Sequence, residues 1–163
     1  MIEVEEMRQN EIDTLLSEVR YGHLGFSVDD QPYVVPVHYV FDGKTIYVYT
    51  TEGKKTEIVR RNPRVCLQVE NVVDDRNWKS VVVSGRAEIV EDVDERNKAL
   101  EEIGKVNPTL TPAVSIRWMD SWIRENVEAI LRIDPEIATG RASVDRSETG
   151  TPLVPGQETH PTY

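Results

Sequence analysis

Hydrophobic residues recur first at helical spacing and then at strand spacing along the chain. Ile12, Leu15, Leu16 and Val19 fall on one side of a helix that Asn10 can cap and Gly22 can end. Beyond Gly22, dense runs of β-branched and aromatic residues are typical of strands. The predicted strands are His23–Val28, Tyr33–Phe41, Thr45–Thr51, Arg64–Glu70, Trp78–Val90 and Val127–Ile133, the last continuing towards Ala142.

Turn and helix signals separate these strands. Asp42-Gly43 predicts a hairpin, and Gly85 predicts a bulge or bend inside its strand. The polar residues 71–77 predict a loop. The helices predicted after the first are Lys54–Arg61, which Asn62-Pro63 ends, then Asp94–Lys105 and Ser115–Asn126.

This order of elements favours a mainly β fold, a small antiparallel barrel with short peripheral helices. We expect one domain over residues 1–142 and a polar C-terminal tail over 143–163. Val34-Val35 and Val81-Val82-Val83 are apolar on both faces of their strands. Such strands pack against helices or a partner subunit on their second face, so the pattern also predicts a homodimer.

Charge narrows the possible classes of function. The 163 residues include 29 acidic and 19 basic side chains, a formal net charge of −10. This balance argues against general nucleic-acid binding and against attachment to anionic membranes, and it is compatible with adaptation to high salt. No apolar run is long enough to span a bilayer, and the single cysteine, Cys66, excludes an internal disulfide. We therefore expect a cytoplasmic protein in which Cys66 is a small buried hydrophobe.

One basic window stands out from the acidic background. Residues 54–64 (KKTEIVRRNPR) hold five basic side chains and one acid, and they follow the hydroxyl-rich strand end Tyr49-Thr50-Thr51 and Gly53. Hydroxyls, adjacent ammonium groups and a helix N-terminus are what a bound phosphate needs. A solvated basic helix face that balances nearby acids is the alternative interpretation.

The residues themselves give weaker evidence for catalysis, for ligand stacking and for metal binding. His38 lies in the middle of a predicted strand, where a packed, hydrogen-bonded histidine is commoner than a catalyst. Trp78 follows a polar segment and is a candidate pocket wall, whereas Trp118 and Trp122 have helical spacing typical of a core. The three histidines lack metal-ligand spacing, so we expect no metal site.

Two longer segments carry a family resemblance. GHLGFSVDDQPYVVPVHYVFDGKTIYVYTTEGKKTEIVRRNPRVCLQVE, followed by WKSVVVSGRAEIVED, resembles the pyridoxamine 5′-phosphate oxidase-like family of FMN-binding split barrels. The likeness is greatest to the branch with nitroimidazole-resistance and flavin-nucleotide-binding proteins. ILRIDPEIATGR is similar to the closing strand of that family.

The resemblance implies a homodimer that holds FMN in clefts at the subunit interface. It places one strand segment along the isoalloxazine, the next strand end near the phosphate, a lysine pair on the phosphate, and a serine at a polar flavin contact. By position these are Val35, Pro36, Val37, His38, Tyr39 and Val40, then Tyr49 and Thr50, then Lys54 and Lys55, and finally Ser80.

Departures from the family pattern limit the expected activity. Val35 and Val40 stand where the authentic oxidase has an arginine and a lysine, so oxidation of pyridoxamine phosphate is not expected. We expect an FMN-dependent oxidoreductase that passes electrons to an unidentified small molecule, with His38 as a candidate catalytic residue. The alternatives are a non-catalytic flavin carrier or sensor, and the same barrel binding a deazaflavin or haem.

Overall fold

Seven strands and three helices make up the part of the chain that the computed structural model describes, residues 1–106 and 128–145. In chain order they are β1 (Ile2–Glu6), α1 (Gln9–Val19), β2 (Tyr21–Val28), β3 (Gln31–Phe41), β4 (Ile46–Thr51), α2 (Lys54–Arg61), β5 (Arg64–Asp74), β6 (Asn77–Ile89), α3 (Val93–Val106) and β7 (Glu128–Asp145).

The strands form one antiparallel sheet that closes into a barrel. Their order is β1-β7-β4-β3-β2-β5-β6, and β6 also pairs with β7, so the ring closes through the longest strand. Closure removes sheet edges that would otherwise be exposed. The predicted mainly β class and small antiparallel barrel are confirmed.

Alternation along the strands fills the barrel interior. Every second residue points inwards, and Leu24, Leu67, Val83, Leu131 and Ile133 are completely or almost completely buried there. Helix α1 covers one end of the barrel with Ile12, Leu15 and Leu16. A second, smaller cluster, in which α3 packs on β4 and β7 outside the barrel, consists of Val90, Ala99, Ile103 and Ile130.

The predicted hairpin and bulge are confirmed. Asp42 Oδ1 accepts hydrogen bonds from the Lys44 and Thr45 N–H groups, which closes the turn between β3 and β4. At Gly85 the register between β6 and β7 shifts, since Ser84 pairs with Ile137 whereas Gly85 pairs with Pro135. A Cβ on Gly85 would collide with the Asp134 carbonyl oxygen, so the close approach of these strands requires glycine.

Both ends of the first helix differ from the prediction. α1 starts at Gln9, and the Glu11 carboxylate accepts the Arg8 N–H, so Asn10 is not the cap. Arg20, in the left-handed region with φ 61°, ends the helix in place of Gly22. Gly22 lies in β2 instead, where a Cβ would come 2.5 Å from the Gln68 carbonyl oxygen.

Three further expectations are corrected by the observed strand pairing and side-chain exposure. The residues predicted as the loop 71–77 belong mostly to β5 and β6, whose ladder continues to Asp74 and Asn77 around a two-residue turn. β1, which was not predicted, forms by pairing with residues 141–145, and β7 therefore extends to Asp145, past the expected tail boundary. Cys66 is exposed, because it points out of the barrel.

The predicted helix Ser115–Asn126, with Trp118 and Trp122, lies outside the described residues, as does the tail from residue 146.

Candidate functional site

The barrel opens between β3 and β4. These strands pair only at Tyr39–Phe41 with Ile46–Val48, and the ladder stops before Val37 would meet Thr50. On their other sides β3 pairs with β2 as far as Gln31, and β4 pairs with β7 as far as Thr51. We call this opening the β3–β4 gap, bounded by the β3 edge from Tyr33 to His38 and by Tyr49–Thr51 of β4. β2 pairs with one edge of this stretch of β3. Within residues 1–106 and 128–145, no strand pairs with its other edge, which faces the gap.

The side chains along this β3 edge alternate between the barrel interior and solvent. Val37 and Tyr39 point into the core and are 5% and 1% exposed. Pro36 and His38 point outwards. The side chains of Val37 and Tyr39 therefore do not face the gap, and the Tyr39 N–H is already donated to the Arg20 carbonyl oxygen at 3.1 Å. The remaining predicted contacts on this strand, Val35 and Val40, are half-buried.

Tyr39 has a structural role of its own. Its buried hydroxyl donates a hydrogen bond of 2.8 Å to the Leu16 carbonyl oxygen, which ties β3 to α1. Burial raises the pKa of this phenol far above its ordinary value, so the group stays protonated as a donor.

Thr50, on the opposite side of the gap, carries a buried hydroxyl without a partner. The residue is 6% exposed, and Thr50 Oγ1 has no hydrogen-bond partner within the described residues. Buried polar atoms in folded proteins nearly always have such a partner, supplied by protein, water or ligand. The neighbouring Tyr49 hydroxyl, by contrast, lies 3.1 Å from Glu128 Oε1.

The turn from β4 into α2 is held by one threonine. Thr56 is fully buried, and its Oγ1 accepts the Gly53 N–H at 3.0 Å and lies 2.8 Å from Glu52 Oε2. Arg60 donates to the same carboxylate at 3.0 Å. The hydrogen bonds from Arg60 and then from Thr56 hold the pKa of Glu52 below its usual range. Glu52 is therefore ionised at neutral pH, and its charge is paired with Arg60. Its carboxylate thus adds no unpaired negative charge at the start of α2.

The basic window divides into paired and unpaired cations. Arg60, Arg61 and Arg64 form ion pairs with Glu52, Asp29 and Glu136 respectively. Lys54 and Lys55 form no ion pair with any described residue. The three arginines therefore follow the charge-balancing interpretation, and the two lysines remain free to meet an anion.

Lys54 reaches across to β3. Its Nζ lies 4.2 Å from the ring centroid of Tyr33. This contact brings the first residue of α2 against the residue that begins the open edge of β3. Tyr33 was not among the predicted site residues, because 21 positions separate it from Lys54 and no local pattern connects the two.

His38 lies on the outer face of the sheet beside two other rings. Its imidazole is 5.3 Å from the Tyr21 ring, edge to face, and Tyr21 is 5.8 Å from the ring of His23. A cavity of about 270 Å³ begins beside this group, where the pairing of β2 with β5 stops. Its lining residues are Tyr21, Gly22, His23, Gln68, Glu70 and Val72.

Ser80 and Trp78 lie far from the gap within one chain. Ser80 is on β6, three strands away from β3, and it receives a hydrogen bond of 3.2 Å from Gln68 Nε2. Trp78 is half-buried beside Ser143, whose Oγ accepts the Trp78 N–H at 2.9 Å. The structure therefore brings the β3, β4 and α2 residues together and leaves Ser80 outside that group.

Two neighbouring outward rows of the barrel carry no charged side chain. Cross-strand pairing places Val34, Gly25, Cys66, Ser84 and Ile137 in one row. The next outward row is Pro36, His23, Gln68, Val82 and Thr139. None of these ten side chains is a carboxylate, a lysine or an arginine. The exposed fractions of Val34 and Ile137 are 63% and 64%. In a chain of charge −10, an apolar face of this kind is typical of an interface.

Comparison with known proteins places this architecture in a family. The family model described as pyridoxamine 5′-phosphate oxidase matches residues 8–142, most of the chain. The chain therefore belongs to the pyridoxamine 5′-phosphate oxidase family, and the predicted membership is confirmed.

Individual relatives extend this picture. The chain is 37% identical over 83 residues to an uncharacterized protein of Rhizobium meliloti (strain 1021), a match that spans 51% of this chain and 55% of that protein. A crystal structure of an FAD-binding protein from Mesorhizobium loti is 32% identical, with a TM-score of 0.73 over 89% of this chain and all of that one. The FAD binding protein of Mycobacterium smegmatis is 21% identical, with a TM-score of 0.58 over 86% of this chain and 98% of that one, and it shows the shared fold alone.

Two further features are absent from residues 1–106 and 128–145. No helix there is long and apolar enough to cross a membrane. No group of three or more His, Cys, Asp or Glu side chains there is placed to hold a metal ion.

Proposed function

We propose that this protein binds FMN in the β3–β4 gap as a homodimer and uses it to pass electrons to a small molecule. The observation that carries the proposal is the set of unsatisfied groups around the gap. These are the open edge of β3, the unpartnered Thr50 hydroxyl, and two lysines without carboxylate partners. Family membership and the FAD-binding relative from Mesorhizobium loti support a flavin as the occupant.

Each group has a distinct task in this proposal. Lys54 and Lys55 hold a phosphate monoester, which carries a charge of about −1.5 to −2 near neutral pH. The Thr50 hydroxyl gains the partner that it lacks. The β3 segment between Val35 and Val40 lies along the ring system. Because backbone groups alternate in direction along a strand and the Tyr39 N–H faces Arg20, the groups on the open edge are the Pro36 C=O and the N–H and C=O of His38, Pro36 having no N–H to donate. When bound, the flavin supplies the redox chemistry, accepting electrons from a donor and passing them to an acceptor.

The second copy of the chain completes the site. Ser80 lies on β6, away from the gap of its own chain, so it can meet a flavin only across a subunit interface. The weakly charged outer face around Val34 and Ile137 is the surface through which we propose that the two copies pair. Pairing there would also bury Cys66, which is exposed in the single chain. His38 lies at the edge of this face and stands as the candidate residue on the substrate side.

The visible spectrum of the purified protein tests the proposal most directly. We expect flavin absorption bands, release of FMN on heating, bleaching when NADH or NADPH is added without oxygen, and return of the bands when an acceptor such as a quinone follows. A colourless protein that retains none of riboflavin, FMN or FAD would overturn the proposal. Retained flavin without turnover would indicate a carrier or sensor, and FAD in place of FMN would correct the cofactor.

The lysine pair gives the first mutational prediction. The double change Lys54→Ala with Lys55→Ala is expected to raise the dissociation constant of FMN at least tenfold, since each charge-assisted hydrogen bond is worth about 1.5–3 kcal/mol. Riboflavin, which lacks the phosphate, should bind both proteins equally in a fluorescence titration. The matched control is Lys79→Ala with Lys98→Ala, which removes the same charge from two exposed sites elsewhere. An equal loss in both double variants would show a general charge effect and remove the phosphate assignment.

A further inference from the structure

The contact between Lys54 and Tyr33 joins the two sides of the β3–β4 gap. Lys54 opens α2, and Tyr33 lies on the part of β3 that β4 does not pair with. The Lys54 ammonium lies 4.2 Å from the Tyr33 ring centroid, well inside the range of about 6 Å for a cation–π contact. A lysine that is exposed and has no described ion pair is therefore ordered by an aromatic face.

The Tyr33 ring is itself held in place. It is half-buried against the main core, and its centroid is 6.2 Å from that of Phe26, which is only 4% exposed. A ring packed on a buried neighbour gives a fixed surface, whereas a free lysine side chain samples many rotamers. Tyr33 can thus restrict the Lys54 ammonium without itself losing much freedom.

We propose that Tyr33 is a positioning residue that holds the Lys54 ammonium over its ring, ready to receive the phosphate of the flavin. The proposal rests on the proposed function, because it names a further residue of the same site. An ammonium group has three N–H donors, so one side can face the ring while the others donate to phosphate oxygens. Because Lys54 is ordered before the ligand arrives, its side chain loses less conformational entropy on binding.

Two variants of Tyr33 separate the ring from its hydroxyl. Tyr33→Phe keeps the aromatic face, and Tyr33→Leu removes it while preserving an apolar contact with Phe26. In fluorescence titrations on the full chain, Tyr33→Leu should raise the dissociation constant of FMN about two- to fivefold, the size of an exposed cation–π contact. Tyr33→Phe should bind FMN as the wild type does, and riboflavin should bind all three proteins alike.

A cycle with Lys54→Ala shows whether the ring acts through the lysine. In the Lys54→Ala background, Tyr33→Leu should cause no further loss of FMN affinity, because the group that it positions is gone. An additive second loss, an equal loss for riboflavin, or tighter FMN binding in Tyr33→Leu would each overturn the proposal. Urea unfolding of every variant identifies one that binds poorly only because its fold is weakened, and if Tyr33→Leu is that variant, Tyr33→Met, which also lacks the ring, replaces it in the comparison.

A measurement without flavin keeps this inference separate from the proposed function. In the wild type, the proton signals of the Lys54 Cε group should be shifted upfield by the Tyr33 ring and should move when inorganic phosphate is added. Tyr33→Leu should lose the upfield shift and respond to phosphate only at higher concentration. If the wild type binds no flavin but this response is present, the proposed function fails and the positioning role stands. If FMN binds through Lys54 but the upfield shift is missing, the positioning role alone fails.

Discussion

Thr56 shows how one side chain can determine the shape of the candidate site. It is buried completely at the start of α2, where its hydroxyl accepts the Gly53 N–H and lies within hydrogen-bond distance of the Glu52 carboxylate. The turn that presents Lys54 and Lys55 depends on these bonds. The sequence shows these residue types but not their partners. Arg60 pairs with Glu52, eight positions earlier in the chain, and Lys54 contacts Tyr33, 21 positions earlier.

Replacing Thr56 by valine, which has the same shape, should destabilise the fold. The change leaves the Gly53 N–H without its acceptor and removes the hydroxyl beside the Glu52 carboxylate, so we expect the free energy of unfolding in urea to fall by about 0.5–1.5 kcal/mol at pH 7. Thr14→Val is the control, since its hydroxyl makes an exposed bond within α1 and should change stability by less than about 0.5 kcal/mol.

The effect of Thr56→Val should also depend on pH. The pKa of Glu52 is lower in the folded protein than in the unfolded chain, so its contribution is fully present above the unfolded value of about 4.3. That contribution is lost as the pH falls through the lowered folded pKa. The stability difference between wild type and Thr56→Val should therefore shrink between pH 6 and pH 3 in urea titrations. A difference that stays constant over this interval would show that the hydroxyl does not act on the carboxylate.

At the scale of elements, β6 and β7 close the barrel, and their junction depends on the bulge at Gly85. The register shift leaves Glu136 opposite no residue of β6, and its carboxylate pairs with Arg64 at the start of β5. The sequence predicted an irregularity at Gly85, because glycine inside an apolar strand weakens it unless backbones must approach closely. It did not predict the extended β5–β6 hairpin or β1, since residues 2–6 and 71–74 are all exposed and carry no buried alternating face, and β1 pairs with residues 141–145 at the other end of the described chain.

Gly85→Ala tests this junction. The added Cβ would meet the Asp134 carbonyl oxygen, and strands paired on both sides of β6 cannot both move away, so we expect a loss of about 1–3 kcal/mol in the free energy of unfolding. The neighbouring Ser84→Ala changes an exposed side chain on the same strand and should be nearly neutral. Equal stability of the two variants would mean that the strands can separate at this point without cost.

At the scale of the whole molecule, charge is distributed unevenly over a protein of net charge −10. The two outward rows that contain Val34, Cys66, Val82 and Ile137 have no carboxylate, although the chain has 29 acidic side chains. The sequence suggested a homodimer from strands that are apolar on both faces. Only the cross-strand register shows that Val34 and Val82 belong to neighbouring rows of the same outward face, whereas Val81 and Val83 face the core.

Ile137→Arg should disrupt the proposed dimer. A guanidinium buried without a partner at an interface is costly, so we expect the dimer dissociation constant in analytical ultracentrifugation to rise about 100-fold. Val93→Arg provides the control, because Val93 is equally exposed at 67% but lies on α3. In the proposed dimer Ser80 would reach the flavin of the other copy, so Ile137→Arg should also weaken FMN binding. A monomeric wild type, or dimers unaffected by Ile137→Arg, would contradict this choice of interface.

The sequence by itself determined the class of fold, most of the strands, the helix that begins at Lys54 and the family, because alternation, turn residues and helix spacing act over a few neighbouring positions. It also predicted the basic window, but not which of its cations are free. That was decided by tertiary structure, since Asp29, Glu52 and Glu136 approach the three arginines only after folding. The β3–β4 gap, the unpartnered Thr50 hydroxyl and the Tyr33 contact likewise exist only once the barrel has closed, because each depends on which strands pair and where the pairing stops.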